Sequence, residues 1–336
     1  MHAEDAPQSL GRQLAQGCAL LGLLGLLTLG QARLFERLLY TDAAQYGFVL
    51  QNIDGVRNGR PVSKSWQQRF LGPALVVALD PLSHDRLRSL RWAGTLCAAA
   101  ANLCLFALCR ARGLPARAAL THVAWFALAH LLFTYKLEYP WDWLDILLML
   151  GFGYGFGRGY TLARLWPLLP LGVLNHETIL YAPLYQLLWA AQAPRSLARA
   201  ASALGWLIAC ALAIYLLRAH YYLGPPDWPG QVLERPAPLL ENHLHVVHNL
   251  KQWLWHDLRE GREFISLSLT AAVIYLAALL RDPSQRTAAA WSLCVLASVI
   301  CFGYVNETRH YLLLIAFWFA YRVGSPQRGG ASHGMR

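Results

Sequence analysis

Apolar residues in this chain come in long runs separated by short polar breaks, and the runs set its architecture. They fall at 18–31, 92–109, 118–135, 143–156, 165–174, 179–191, 201–217, 264–280, 288–305 and 311–321, and Asp145 is the single charged residue inside them. A helix needs about 20 apolar residues to cross bilayer hydrocarbon, fewer where neighbours bury it. The pattern predicts an all-α integral membrane fold. It is a polytopic bundle of roughly eight to ten transmembrane or re-entrant helices, one domain over residues 1–336.

Basic residues in short loops near span ends are held in the cytoplasm. With the N-terminus inside, Arg110, Arg112, Arg117, Arg158, Arg164, Arg195, Arg199, Arg281, Arg286, Arg322 and Arg328 all fall on the cytoplasmic side. This holds only if 165–191 enters and leaves from that side, which makes Asn175, His176, Glu177 and Thr178 the turn of a short helical hairpin. Two long non-cytoplasmic loops then remain, at about 34–91 and 220–263. The expected location is a bacterial-type inner (plasma) membrane, multi-pass, with both termini cytoplasmic. The segment before the first run has no convincing small-residue cleavage site and reads as leading into an uncleaved helix.

Composition supports lipid as the solvent. Charged residues make up 14% and hydrophobic ones 56%, against roughly 25% charged in an average soluble domain. The 13 Trp and 15 Tyr suit the boundary between hydrocarbon and headgroups. A formal net charge of +10 does not imply nucleic acid, because the Arg residues are scattered singly and form no basic stripe. The 7 Cys lie in or beside apolar runs, where thiols act as small hydrophobes.

Candidate chemistry concentrates on the non-cytoplasmic side. Asp42 follows the first run closely, as a general base for a hydroxyl acceptor or as the cap of an amphipathic helix. Arg69 precedes an apolar turn ending at Pro73, as a phosphate contact or an interface anchor. Lys136, Glu138 and Asp142 sit among four aromatic rings between two runs. Asp145 and Glu177 lie in membrane context, where an ionisable group is a functional hypothesis because its burial is costly. Arg309, just before Tyr311, stands where a guanidinium clamps a lipid phosphate or simply snorkels. His243, His245 and His248 admit a divalent metal, or belong to an interfacial helix over about 237–256.

This arrangement resembles the C-type (GT-C) membrane glycosyltransferases. The resemblance is carried by Asp42 within Tyr40, Thr41 and Asp42, by Arg69 to Pro73, by the broken helices in mid-chain, and by Arg309 beside Tyr311. It implies a GT-C-like bundle, a polyprenyl-phosphate sugar as donor, and a glycan, lipid or protein acceptor in the cell envelope. It makes Asp42 the base of an inverting transfer and Arg69 and Arg309 holders of the donor phosphate, with Lys136, Glu138, Glu177 and Tyr311 lining the cavity. No cofactor is named by the residues. Two other readings stay open, a transporter or flippase of a lipid-linked or anionic substrate, and an assembly subunit without activity.

Overall fold

The computed structural model describes residues 10–41, 43–58, 69–133, 142–192, 197–222, 246–257, 259, 263–280, 285–302 and 309–325. Among them the elements are helical and there is no strand. In order they are α1 (Leu10–Thr41), α2 (Ala43–Asn58), α3 (Leu71–Ser83), α4 (Arg86–Ala111), α5 (Ala116–Phe133), α6 (Asp142–Gly157), α7 (Leu162–Leu165) and α8 (Leu168–Asn175). A 3-10 turn (Glu177–Leu180) leads into α9 (Tyr181–Gln192), followed by α10 (Leu197–Tyr222) and α11 (Val246–Lys251). A π-helical turn (Gln252–Asp257) precedes α12 (Glu263–Leu280), α13 (Arg286–Phe302) and α14 (Arg309–Gly324). Two stretches, Arg86–Ala111 and Leu197–Leu217, are long and apolar enough to cross a membrane.

The segment expected as a polar loop over 34–91 is largely helical. α1 continues to Thr41, and α2 and α3 pack on the start of α4 through Val49, Ile53, Val76, Leu90 and Ala93. Arg86 ties the three together, 2.8 Å from Asp54 and 2.7 Å from Asp80. Asp85 caps α4 by accepting from the Arg88 N–H at 2.7 Å. α2 is too interrupted by polar residues to stand out as an apolar run, and in α3 the apolar stretch 70–79 is only ten residues long; packing on α4 is what makes both stable.

The centre of the bundle is the α6–α14 pair. Residues 151–157 read Gly-Phe-Gly-Tyr-Gly-Phe-Gly, which puts two pairs of glycines at i, i+4 on separate faces. A Cβ on Gly153 would meet the Phe317 backbone, and one on Gly157 would meet the backbone of Tyr321 and Gly324, so α6 and α14 run parallel in direct main-chain contact. Small residues that let backbones approach are how helices associate without a hydrophobic drive between them. The other pair, Gly151 and Gly155, receives Leu168 and Leu165, so the chain from α7 into α8 runs back along α6. Aromatic rings fill the rest of this core, with Phe156 stacked on Tyr185 at 4.2 Å and Trp291 against Phe317 at 4.1 Å.

α8 and α9 form the hairpin expected from the charge pattern. Pro167 and Pro170 at the start of α8, and Pro183 in the first turn of α9, sit where a missing N–H costs little. His176, in extended conformation, breaks the helix between them, and Gly172 lets Ile179 pack close. Tyr185 returns to the level of Phe156, and the Gln186 side chain accepts from the Leu162 N–H at 2.5 Å. Both arms therefore start and finish at the C-terminal end of α6.

That end is also where basic residues collect. Arg112, just past α4, donates to the carbonyls of Val323 and Ser325 at 3.1 Å each. Arg158 follows α6, Arg164 lies over the Tyr160 ring, Arg199 over Trp189, and Arg286 opens α13, whose Thr287 donates to Gln192 at 2.6 Å.

α1 packs on α4 and α5 through Leu24 and Leu27 and is pinned there by polar contacts to one residue. The buried Asn102 side chain donates to Thr28 at 3.0 Å and Gln31 at 2.7 Å, while Leu21, Leu26 and Leu29 face outward. Asn102→Leu is expected to destabilise the protein by about 1–2 kcal/mol and to raise hydrogen exchange selectively in α1. Unchanged protection of α1 would show that its apolar contacts suffice.

Candidate polar site at the hairpin tip

The far end of the hairpin, away from Arg158, Arg164 and Arg199, gathers a cluster of buried polar side chains. Asp145 sits in the first turn of α6, where a carboxylate is favoured by the helix dipole. Asp142, one turn earlier, is also buried. The hairpin turn is delivered against them because α8 runs back along the small face of α6. Asn175 donates through Nδ2 to Asp145 Oδ1 at 2.8 Å, and His176 Nδ1 lies 3.0 Å from Asp145 Oδ2. An ionised carboxylate only accepts, so with Asp145 ionised and the ring neutral the tautomer that satisfies this contact has its proton on Nδ1 and its lone pair on Nε2. Thr178 Oγ1 is 3.2 Å from Nδ1, and Glu177 Oε2 is 3.6 Å from Nε2.

Four further elements reach this tip. The Phe70 N–H donates to the Leu174 carbonyl at 2.8 Å, which fixes the buried Arg69 beside the hairpin although the two lie far apart in sequence. Gly153 beside Phe317 and Gly157 beside Tyr321 keep equal spacing along α6 and α14. The same step back along both helices brings Asp145 level with Arg309, the first residue of α14, and Tyr311 is buried just beyond it. From below, the Tyr181 hydroxyl pairs with Ser298 at 2.6 Å. Beside it, His130 of α5 stacks on Trp143 at 4.4 Å, both buried.

Of the residues singled out in the sequence, the structure places Glu177 on the far side of His176 from Asp145, ties the backbone beside Arg69 to the hairpin through Phe70 and Leu174, and sets the backbone of Arg309 level with Asp145. Asp42, Lys136, Glu138, His243 and His245 lie outside the described residues. α2 begins at Ala43, immediately after Asp42. His248 is exposed on α11, whose neighbouring Asn249 docks that helix by donating to the Ile300 carbonyl at 2.7 Å. Among the described residues no group of three or more His, Cys, Asp or Glu is placed to hold a metal ion.

The Asp145–His176 pair is the feature that sequence reasoning missed. Its signal was present as a lone acid in one apolar run and a His in the break of another, but nothing local links them. A scan against protein-family models, a search of curated proteins and a search of solved structures each found no match for this chain.

Proposed function

We propose that this chain is a multi-span membrane enzyme, an inverting glycosyltransferase that moves a sugar from a polyprenyl-phosphate donor to a hydroxyl acceptor of the cell envelope. The observation that carries the reading is the line Asp145, His176 and Glu177 at the tip of the hairpin, with Arg69 tied beside it by the Phe70–Leu174 bond, at the opposite end of α6 from Arg158 and Arg164. Large apolar side chains such as Leu26, Ile208, Leu212 and Val273 point outward, as a lipid-facing surface requires. The positive-inside rule puts the basic end in the cytoplasm and the polar tip toward the opposite face.

In the transfer, the acceptor oxygen bonds to the anomeric carbon while the carbon–oxygen bond to phosphate breaks, and the phosphate departs with the electron pair. The charge growing on that phosphate is what Arg69 and Arg309 would stabilise. The partly exposed carboxylate of Glu177 suits a sugar hydroxyl, which donates to a carboxylate. Asp42, the base that the family resemblance names, belongs to the segment between α1 and α2.

The test is transfer of radiolabelled sugar from a panel of polyprenyl-phosphate hexoses and pentoses in membranes containing the protein. The expected result is transfer from at least one donor. Arg69→Ala is then expected to raise the donor KM about 10- to 100-fold, the worth of a charge-assisted hydrogen bond; an unchanged KM removes Arg69 from the donor site. Failure of every donor would refute the transferase reading. It would favour transport instead, for which two half-helices meeting at an ionisable tip are also suited.

A further inference from the structure

We infer that His176, aligned by Asp145 and connected to open space by Glu177, is the group that takes the proton from the acceptor hydroxyl. The inference rests on the transferase reading and assigns to the hairpin tip a role that the family resemblance gives to Asp42.

Three observations carry it. The first is the order of burial along a continuous line of side chains. Asp145 has 3% of its side chain exposed, His176 7% and Glu177 40%. A carboxylate shut away behind an imidazole can orient it and compensate its charge, while a carboxylate on the open side can pass a proton on. The second is the commitment of ring nitrogens. Nδ1 faces Asp145 and Thr178, whereas Nε2 stands 3.6 Å from Glu177, beyond hydrogen-bond length. Nε2 therefore has a lone pair to offer a hydroxyl arriving between it and the open side. The third is the anchoring of Asp145 itself. Asn175 holds its other oxygen at 2.8 Å, so the carboxylate cannot turn away from the ring.

The step balances with the species already named. The acceptor O–H gives its proton to His176 Nε2 as its oxygen bonds to the anomeric carbon, and the donor phosphate leaves with the electrons of the broken bond. Asp145 offsets the imidazolium charge without itself being protonated, which is the role of an orienting carboxylate behind a histidine. Glu177 then receives the proton from Nε2 and releases it to water. An imidazole is suited to this because its ordinary protonation range brackets neutral pH.

The experiment uses the full-length protein in membranes, with the donor found active above. His176→Ala is expected to lower kcat by about 10²- to 10⁴-fold with the donor KM nearly unchanged. Added imidazole is expected to restore part of the rate in His176→Ala and none in His176→Gln, whose side chain fills the space. Asp145→Asn should lower kcat by aligning the wrong tautomer, and Glu177→Gln should lower it less. Melting temperatures in detergent identify any variant that has lost its fold, and His176→Gln, closest in volume, carries the test if His176→Ala has done so. A His176→Ala protein that keeps its kcat overturns the inference, as does a folded one that imidazole cannot restore. Loss of transfer in Asp42→Asn with His176→Ala unaffected returns the role to Asp42 and leaves the transferase reading standing. Absence of transfer in the wild type removes that reading and this inference with it.

Discussion

Gly153→Val is expected to leave almost no folded protein. The atom that a Cβ at Gly153 would strike is backbone of Phe317, which cannot rotate aside as a side chain can. Relief requires α6 and α14 to separate along their whole seam. Overpacking in an ordinary core costs about 1–3 kcal/mol. Here the displaced α14 also carries the stacked rings of Phe317 and Tyr321, the contact of Phe317 with Trp291 of α13, and its own first turn beside the polar tip. Against a total stability of about 5–15 kcal/mol, the larger cost is disabling. Gly205 of α10 has nothing within 4 Å of its would-be Cβ, so Gly205→Ala is the matched control and should be neutral or slightly stabilising. Monodisperse yield and melting temperature in detergent measure both. Equal melting temperatures for the two variants would mean that the α6–α14 seam is not the keystone it is taken to be.

The second large effect is expected at Asp145. Asp145→Ala removes the acceptor of Asn175 Nδ2 and leaves His176 Nδ1 with Thr178 alone, and a buried donor that loses its acceptor costs about 1–3 kcal/mol. The hairpin tip then has no polar reason to stay closed on α6. Asp145→Asn keeps volume and one acceptor, so it should retain most of the stability while losing the ring alignment. A double-mutant cycle of Asp145→Ala with Asn175→Ala isolates the pair. A coupling between about 0.5 and 3 kcal/mol is expected for residues in direct contact, and strict additivity would show that the contact contributes nothing.

The helices were legible wherever apolar runs were long, because hydrophobicity over a run of that length has few other uses. The reversal at Asn175 to Thr178 was legible for a different reason. The basic residues on either side of 165–191 could be kept together only by bringing the chain back, and the structure has that reversal, with Pro167, Pro170 and Pro183 opening its arms. α2 was read as loop because its sequence mixes polar and apolar residues, and α3 because its apolar stretch, 70–79, is short and sits between polar segments; both pack on the start of α4. The glycines at 151–157 are visible to the eye, but no local rule says that α14 is their partner. For the same reason Asp145 could be recognised as costly to bury while the group that makes its burial tolerable, His176, could not be assigned. Arg69 was chosen for its charge and position before Pro73, and its proximity to the hairpin rests on one main-chain bond, Phe70 to Leu174, that side-chain chemistry does not forecast.

The shortness of the hairpin arms bears on the order in which the molecule is built. α8 has 8 residues and α9 has 12, about 12 and 18 Å of helix, while bilayer hydrocarbon is about 30 Å thick. Neither arm can be laid down as a span in its own right. On the proposed membrane reading the pair would be drawn in from the basic end, along the groove on α6 where Gly151 and Gly155 receive Leu168 and Leu165. Asp145 would wait in that groove without its partners until Asn175 and His176 arrive. Assembly of the bundle would then precede completion of its polar centre, and partial opening would reverse the sequence, releasing the hairpin first and leaving the remaining helices associated.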